Sequence, residues 1–201
     1  MADKQRLGTL AADEQAEFVE WARGLSEKSL DTASLCEDWA VGDVLLHCAI
    51  HTHRTSWEAI KGTEKSMQRE IEQQRETESA EVIERLARPI TAPSVGVQLA
   101  ELLIHQQDAR RPLGSTREIP AERLIEVLDL CLSRAGSLGV AKARKRALGL
   151  RLEADDLAWS WGSGAAVCGP AEAILMAVNG RGAALGDLSG DGVTTLESRI
   201  G

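Results

Sequence analysis

The sequence contains no tyrosine and a single phenylalanine, so tryptophan, with five copies, is its main aromatic residue. Without tyrosine no phenol is present to act as a general acid, and any proton transfer has to fall to other groups. Hydrophobic residues nevertheless make up 43% of the 201 residues and charged residues 27%, which is close to an ordinary globular protein. The composition therefore excludes global disorder and predicts a core of aliphatic side chains.

Basic residues are in the minority, with 23 lysines and arginines against 31 acidic residues and a net charge of −8. This balance argues against a general nucleic-acid binder, which needs basic side chains to neutralise phosphates. No apolar run approaches the roughly 20 residues that span a bilayer, and the first residues carry no apolar signal core. We therefore expect a soluble, cytoplasmic protein without a nucleic-acid or membrane partner, and the oligomeric state stays open.

The four cysteines are widely spaced, and no Cys-x-x-Cys pair is present. This spacing argues against a disulfide framework and against a zinc site built from paired thiolates. We expect each cysteine to behave as a small buried apolar residue. The four are Cys36, Cys48, Cys131 and Cys168.

Apolar residues recur at helical spacing in four parts of the chain. The pattern predicts helices over about 5–24, 41–60, 94–111 and 120–136. The polar, charged segment 61–88 is expected to be partly helical and largely exposed. Four substantial helices with short or irregular connections predict a helical bundle.

The pattern changes after residue 145, where Leu148, Leu150 and Leu152 alternate with polar residues and indicate a strand. A second strand is predicted over 157–167, and a short helix follows Gly169-Pro170 and ends at Asn179 before Gly180. The expected organisation is mainly α, with a four-helix bundle over 1–140 and a small α+β domain over 146–201.

A group of potential metal ligands lies on the third predicted helix. Glu101, His105 and Asp108 are spaced i, i+4 and i+7, which puts them within roughly 60° of one another on one helix face. A Glu-x-x-x-His pair can chelate one ion, and a bundle could bring His47 against it. Two imidazoles and one carboxylate form a known catalytic zinc set. His51, one turn after His47, is a rival partner for it.

The same spacing also fits a solvated helix face, so it does not establish a site on its own. Asp108 could orient His105, or it could form a surface ion pair with Arg110 or Arg111. His53 is expected to face solvent on the other side of its helix.

Three longer runs make the sequence recognisable. The run SLCEDWAVGDVLLH, 34–47, resembles the segment that precedes the first metal ligand in the mycothiol-dependent maleylpyruvate isomerase family. The run ELLIHQQDARRPLG, 101–114, is similar to the second metal motif of that family. The run AWSWGSGAAVCGPAEAILMAVNGR, 158–181, resembles its C-terminal signature. The three runs follow the order of the family and are spread over residues 34–181.

The resemblance implies a DinB-like four-helix bundle followed by a small C-terminal domain. It also implies a divalent metal, with zinc expected, held by His47, Glu101 and His105. Mycothiol would be the thiol cosubstrate and a small electrophilic metabolite its partner. The implied activity is that of a thiol transferase or isomerase acting through a metal-bound thiolate.

The resemblance extends to two further site residues and leaves the substrate open. Arg181 is the candidate for an arginine that assists catalysis in the family isomerase, and Asp108 is the candidate partner of His105. Ala40 stands where the family often has a capping threonine or serine. The C-terminal domain is shorter than in the isomerase proper, so the electrophile stays unassigned.

Two other functions remain compatible with the sequence. The first is a non-catalytic bundle protein that binds a metal or a small ligand at the same site. The second is an interaction protein whose bundle has lost its chemistry.

Overall fold

The computed structural model describes residues 2–54, 64–133 and 141–200, and the chain divides into two compact units, Met1–Thr116 and Arg117–Gly201. The helices of the first unit are α1 (Ala2–Arg23), α2 (Glu27–Leu30), α3 (Val41–His51), α4 (Glu64–Gln74), α5 (Ser79–Leu86) and α6 (Val95–Arg110), with a 3-10 turn at Arg111–Leu113. The second unit contains α7 (Ala121–Leu132), α8 (Ala141–Ala147), β1 (Leu150–Ala154), β2 (Ser160–Gly162), β3 (Ala165–Gly169), α9 (Ala171–Val178), a 3-10 helix at Gly182–Asp187 and α10 (Val193–Glu197).

The first unit is built on a ring of four helices. Helix α6 packs against α1 and α3, and α5 packs against the same two helices from the other side. The enclosed core is aliphatic apart from one phenylalanine, as the composition predicts. Its buried side chains include Phe18, Val19, Val44, Leu45, Ile71, Val82, Ile83, Leu86 and Leu102.

The fourth helix of this ring differs from the sequence prediction. The pattern assigns that place to 120–136 and expects 61–88 to be largely exposed. In the structure α5 closes the ring and buries Val82, Ile83 and Leu86, whereas α7 packs against α8 and α9 in the second unit. The apolar stripe of α5 spans only one turn within a charged segment, so periodicity alone does not bring it out.

Helix α3 carries the first histidine of the candidate site, and its start is held by an unusual cap. Ala40 occupies the N-cap position and has no side-chain acceptor, but Asp43 Oδ2 accepts the Ala40 N–H at 3.0 Å. This is the reverse half of a capping box, and it offsets part of the missing cap. The helix ends at His51 rather than near 60; residues 55–63 lie outside the described part of the chain.

The second unit contains a three-stranded sheet in the order β2-β1-β3. Strand β1 pairs antiparallel with β2 and parallel with β3. The predicted single strand over 157–167 is therefore wrong, because the chain turns at 163–164 and passes around the start of β1. Gly164 has φ 130°, and a Cβ there would collide with the carbonyl oxygen of Gly149. The passage of the chain from β2 to β3 therefore requires glycine at position 164.

The predicted fold class, mainly helical with a small sheet in the C-terminal region, is confirmed. The division between the compact units falls after Thr116, whereas the sequence places the domain boundary between 140 and 146. Helix α7 ends at Leu132, and the predicted end near Gly136 lies outside the described residues. Among the described helices, none has both the length and the apolar character needed to cross a bilayer.

Candidate metal centre

Three predicted ligands meet where α3 packs against α6. His47 Nε2 lies 3.2 Å from Glu101 Oε2, and His105 Nε2 lies 3.3 Å from the same oxygen. One ligand atom from each residue lies within 4.8 Å of the other two. Helix α6 supplies Glu101 and His105 one turn apart, and α3 supplies His47 from the facing helix. The fold therefore brings together the three residues that the sequence could only group by spacing and resemblance.

The donor set fits a divalent cation. In a tetrahedral zinc site with bonds of about 2.0–2.1 Å, neighbouring nitrogen and oxygen ligands stand about 3.3 Å apart. The two nitrogen–oxygen distances at Glu101, 3.2 and 3.3 Å, match that separation. Two imidazoles and one carboxylate leave a fourth coordination position for water or a ligand.

Asp108 supports the ring of His105 from behind. Its Oδ2 lies 2.9 Å from His105 Nδ1, and its side chain is completely buried. Because an ionised carboxylate can only accept, His105 donates Nδ1–H to Asp108, and this contact directs the opposite nitrogen, Nε2, toward Glu101. Of the roles left open for Asp108 in the sequence, the structure shows the contact with His105.

Two residues at this centre were not identified from the sequence. Cys36, expected to be a buried apolar residue, is half-buried and donates its Sγ–H to Asp108 Oδ2 at 3.1 Å. The Trp39 ring lies over His47 and His105, with centroid distances of 5.0 and 6.4 Å. Both residues lie in the run 34–47, shortly before His47. This closeness in sequence was the available sign that they belong to the site.

The electrostatics of the three ligands are coupled. Burial and the neighbouring charge of His105 lower the pKa of His47 to about 4. Burial also lowers the pKa of His105, but its interactions with Cys36, Asp108 and Glu101 outweigh burial and hold it well above its usual value. Burial raises the pKa of Glu101, yet the charge of His51 and the hydrogen bonds from both ligand histidines hold it well below its usual range. The site therefore favours an ionised Glu101 and a neutral His47.

The other two histidines occupy different positions. His51 lies beside His47, with ring centroids 5.5 Å apart, but its Nδ1 lies 3.2 Å from Gln98 Oε1. It does not join the group of converging ligand atoms among the described residues. The expectation that His53 faces solvent is wrong. Its Nε2 is buried, and its Nδ1 lies 3.0 Å from the Ala49 carbonyl oxygen, because the ring folds back over the end of α3.

Arg181 lies in the second compact unit, after the end of α9. Its guanidinium donates to the Asn179 carbonyl oxygen at 2.8 Å, which ties the side chain to its own segment. Its catalytic role stays a prediction from the resemblance.

Comparisons with known proteins bear on the N-terminal domain and on the fold. Residues 11–93 match the family model described as the mycothiol maleylpyruvate isomerase N-terminal domain, a range that includes His47 and ends before Glu101. Two solved structures are similar over 93% of this chain and 92% of their own. One is mycothiol-dependent maleylpyruvate isomerase, with 16% identity and a TM-score of 0.63. The other is a variant of that enzyme with one histidine replaced by alanine, with 15% identity and a TM-score of 0.64.

A search of curated proteins found no match. Residues 11–93 nevertheless match the mycothiol maleylpyruvate isomerase N-terminal domain, and the chain has the fold of mycothiol-dependent maleylpyruvate isomerase.

Proposed function

We propose that this protein is a metal-dependent enzyme that uses mycothiol to transfer a thiol to, or to isomerise, a small electrophilic metabolite. The observation that carries the proposal is the convergence of two imidazole Nε2 atoms from different helices on one carboxylate oxygen, Glu101 Oε2. The family match and the shared fold support mycothiol as the thiol.

His47, Glu101 and His105 would hold the ion, with zinc as the expected metal. When bound, a divalent ion in this set keeps about one net positive charge and favours the deprotonated form of a coordinated thiol. Asp108 keeps the His105 ring oriented for this task through its contact with Nδ1.

The side chains of the three ligands are exposed to solvent to different degrees, which indicates the side from which a thiol would reach the site. The side chain of His47 is 6% exposed, that of His105 is 13% exposed and that of Glu101 is 25% exposed. A thiol would therefore approach past Glu101. On another side, Trp39 covers the ligand histidines and donates its indole N–H to Gln68 Oε1 on α4 at 2.6 Å. Trp39 therefore shields this side of the two rings.

A cysteine of the first unit is a poor nucleophile for the reaction. Burial raises the pKa of Cys48, the neighbour of His47, to about 12. At neutral pH this thiol stays protonated, and a thiolate is the reactive form. An external thiol is therefore the expected nucleophile, in agreement with the family.

The test is a turnover assay of the zinc-loaded protein with mycothiol and a panel of small electrophiles, including maleylpyruvate. We expect loss of free thiol or isomerisation of at least one electrophile, abolished by Glu101→Gln. The matched control is Glu81→Gln, the same substitution at an exposed glutamate of α5, which should leave turnover unchanged. Metal binding without turnover across the panel would favour the non-catalytic binding protein instead.

A role for Arg181 is part of the proposal and has a separate test. Arg181→Ala should lower kcat about tenfold or more and leave the zinc content unchanged, because a positioned charge acts on the reacting groups and not on the ligands. An unchanged kcat would contradict the proposed role of Arg181.

A further inference from the structure

We infer that Cys36 is a positioning residue of the metal centre, whose thiol donor fixes Asp108 and through it the ring of His105. This inference rests on the proposed metal site. It assigns a role to a cysteine that contributes no ligand to the set of His47, Glu101 and His105.

The geometry forms a chain of contacts that ends at a ligand. Cys36 Sγ lies 3.1 Å from Asp108 Oδ2, and the same oxygen lies 2.9 Å from His105 Nδ1. The Asp108 side chain is completely buried, and a buried carboxylate is costly unless donors surround it. Cys36 supplies one such donor, so it favours the rotamer in which Oδ2 faces His105.

The backbone around Cys36 is anchored to the same turn of α6. The Leu35 N–H donates to the Asp108 carbonyl oxygen at 3.0 Å, and the Cys36 N–H donates to Ser34 Oγ at 3.0 Å. The Ser34 N–H donates to the Trp39 carbonyl oxygen at 2.9 Å. The thiol is therefore delivered to Asp108 by a segment with little freedom, which is what a positioning contact requires.

A second metal ion held by Cys36, His105 and Asp108 fits the distances less well. Zinc–sulfur bonds of about 2.3 Å and zinc–nitrogen or zinc–oxygen bonds of about 2.0–2.1 Å would separate these ligand atoms by about 3.3–3.6 Å. Cys36 Sγ and His105 Nδ1 are 3.5 Å apart, within this range. Asp108 Oδ2, however, lies 2.9 Å from His105 Nδ1 and 3.1 Å from Cys36 Sγ, and these two shorter separations correspond to hydrogen bonds.

A nucleophilic role for Cys36 is also disfavoured by its position. Its Sγ lies 3.5 Å from His105 Nδ1, whereas the ligand atoms converge at Nε2 on the opposite side of the ring. The thiol therefore faces the support of His105, away from the position where a substrate thiol would join the ligands.

The experiment compares zinc dissociation constants, measured by chelator competition, for four forms of the full chain. They are the unaltered protein, Cys36→Ala, Cys36→Ser and Asp108→Asn. We expect Cys36→Ala to weaken binding about tenfold, at the lower end of the effect of supporting residues around a metal. Cys36→Ser keeps a donor and should stay within about twofold of the unaltered protein. Cys168→Ser, at a half-buried cysteine of the second unit, is the matched control for cysteine replacement.

A double variant shows whether Cys36 acts through Asp108. If it does, adding Cys36→Ala to Asp108→Asn causes no further loss of affinity, because the intermediate contact is already broken. The visible absorption of the cobalt-loaded forms should change for Cys36→Ala and stay unchanged for Cys36→Ser. Wild-type affinity in Cys36→Ala, equal losses in the serine and alanine variants, or losses that multiply in the double variant would each overturn the inference.

A metal-free readout separates this inference from the proposed function. Long-range proton–nitrogen NMR, at a pH where His105 is neutral, reports which ring nitrogen carries the proton. We expect one tautomer, protonated at Nδ1, in the unaltered protein and in Cys36→Ser, and a mixture in Cys36→Ala. If the unaltered protein binds no divalent metal, the proposed function fails while these spectra still decide the role of Cys36. Identical tautomers in all three forms would contradict it.

Discussion

The imidazole rings of His47 and His105 meet edge to face, with their centroids 4.5 Å apart, although they come from different helices. Both rings direct Nε2 at one oxygen of Glu101. A buried carboxylate can form an ion pair with one imidazolium. Two buried imidazoles that converge on one carboxylate oxygen also form a ligand set for a metal cation.

Metal binding should release about one proton per chain at pH 7. Metal binding needs neutral imidazoles. The pKa of His105 is held well above its usual value, so in the metal-free protein this ring is an imidazolium with protons on both nitrogens. The pKa of His47 is lowered to about 4, so that ring is neutral. Zinc affinity should therefore rise with pH until it passes the pKa of His105.

Calorimetric titrations with zinc at pH 7, in buffers of different ionisation enthalpy, measure the number of protons released. A value near zero would show that His105 is already neutral and would contradict the electrostatic description of the site. Ionisation of a zinc-bound water can only add to the number of protons released.

Replacing Gln106 with leucine should stabilise the protein by about 1–2 kcal/mol. Gln106 is fully buried, and neither atom of its amide group has a hydrogen-bond partner among the residues that the structure describes. The unpaired amide carries a desolvation cost, which an apolar side chain of similar size removes. Urea unfolding of Gln106→Leu measures the change.

Gln15 provides the matched control, because it is a buried glutamine whose amide nitrogen donates two hydrogen bonds. Its Nε2 donates to the carbonyl oxygens of Leu86 and Arg88, at 2.7 and 3.0 Å. Gln15→Leu should therefore destabilise the protein by about 1–3 kcal/mol, since it strands these carbonyl groups. If Gln106→Leu and Gln15→Leu change the free energy of unfolding in the same direction, the hydrogen bonding of the two amides does not determine the effect.

Replacing Ala40 with serine should raise the free energy of unfolding by about 0.5–1 kcal/mol. Ala40 is the N-cap of α3, with φ −79° and ψ 168°, and lacks the side-chain acceptor that this position normally supplies. Serine adds that acceptor, while Asp43 keeps its own bond to the Ala40 N–H. Thermal unfolding of Ala40→Ser and of Ala40→Val, which adds bulk without an acceptor, measures the effect. No gain for serine over valine would show that other contacts already satisfy the helix start.

Much of the site followed from local sequence. Glu101, His105 and Asp108 share one helix, so their relative placement depends only on helical periodicity, and this part of the prediction corresponds to the observed geometry. The position of His47 needed the resemblance, because spacing says nothing about which face of α3 meets α6. The exclusion of His51 from the ligand group depends on its contact with Gln98, a tertiary feature that no local pattern encodes.

The missed features are those in which tertiary contacts decide a residue's role. The side chains of α5 are buried because three other helices leave a place for them, not because their stripe is long. Cys36 and Trp39 look like ordinary apolar residues until the loop that carries them is seen against α6. The division of 157–167 into two strands depends on glycines whose backbone angles are not visible in an alternating pattern.

The most direct test of the account is the metal content of the purified protein. Elemental analysis after loading with zinc and removal of excess metal should give about one zinc per chain for the unaltered protein. His47→Ala should lose the metal, whereas His53→Ala, which removes an imidazole outside the ligand group, should retain it; circular dichroism verifies that both variants fold. An unaltered protein that binds no divalent metal, or a folded His47→Ala variant that binds it as tightly, would contradict the proposed metal centre.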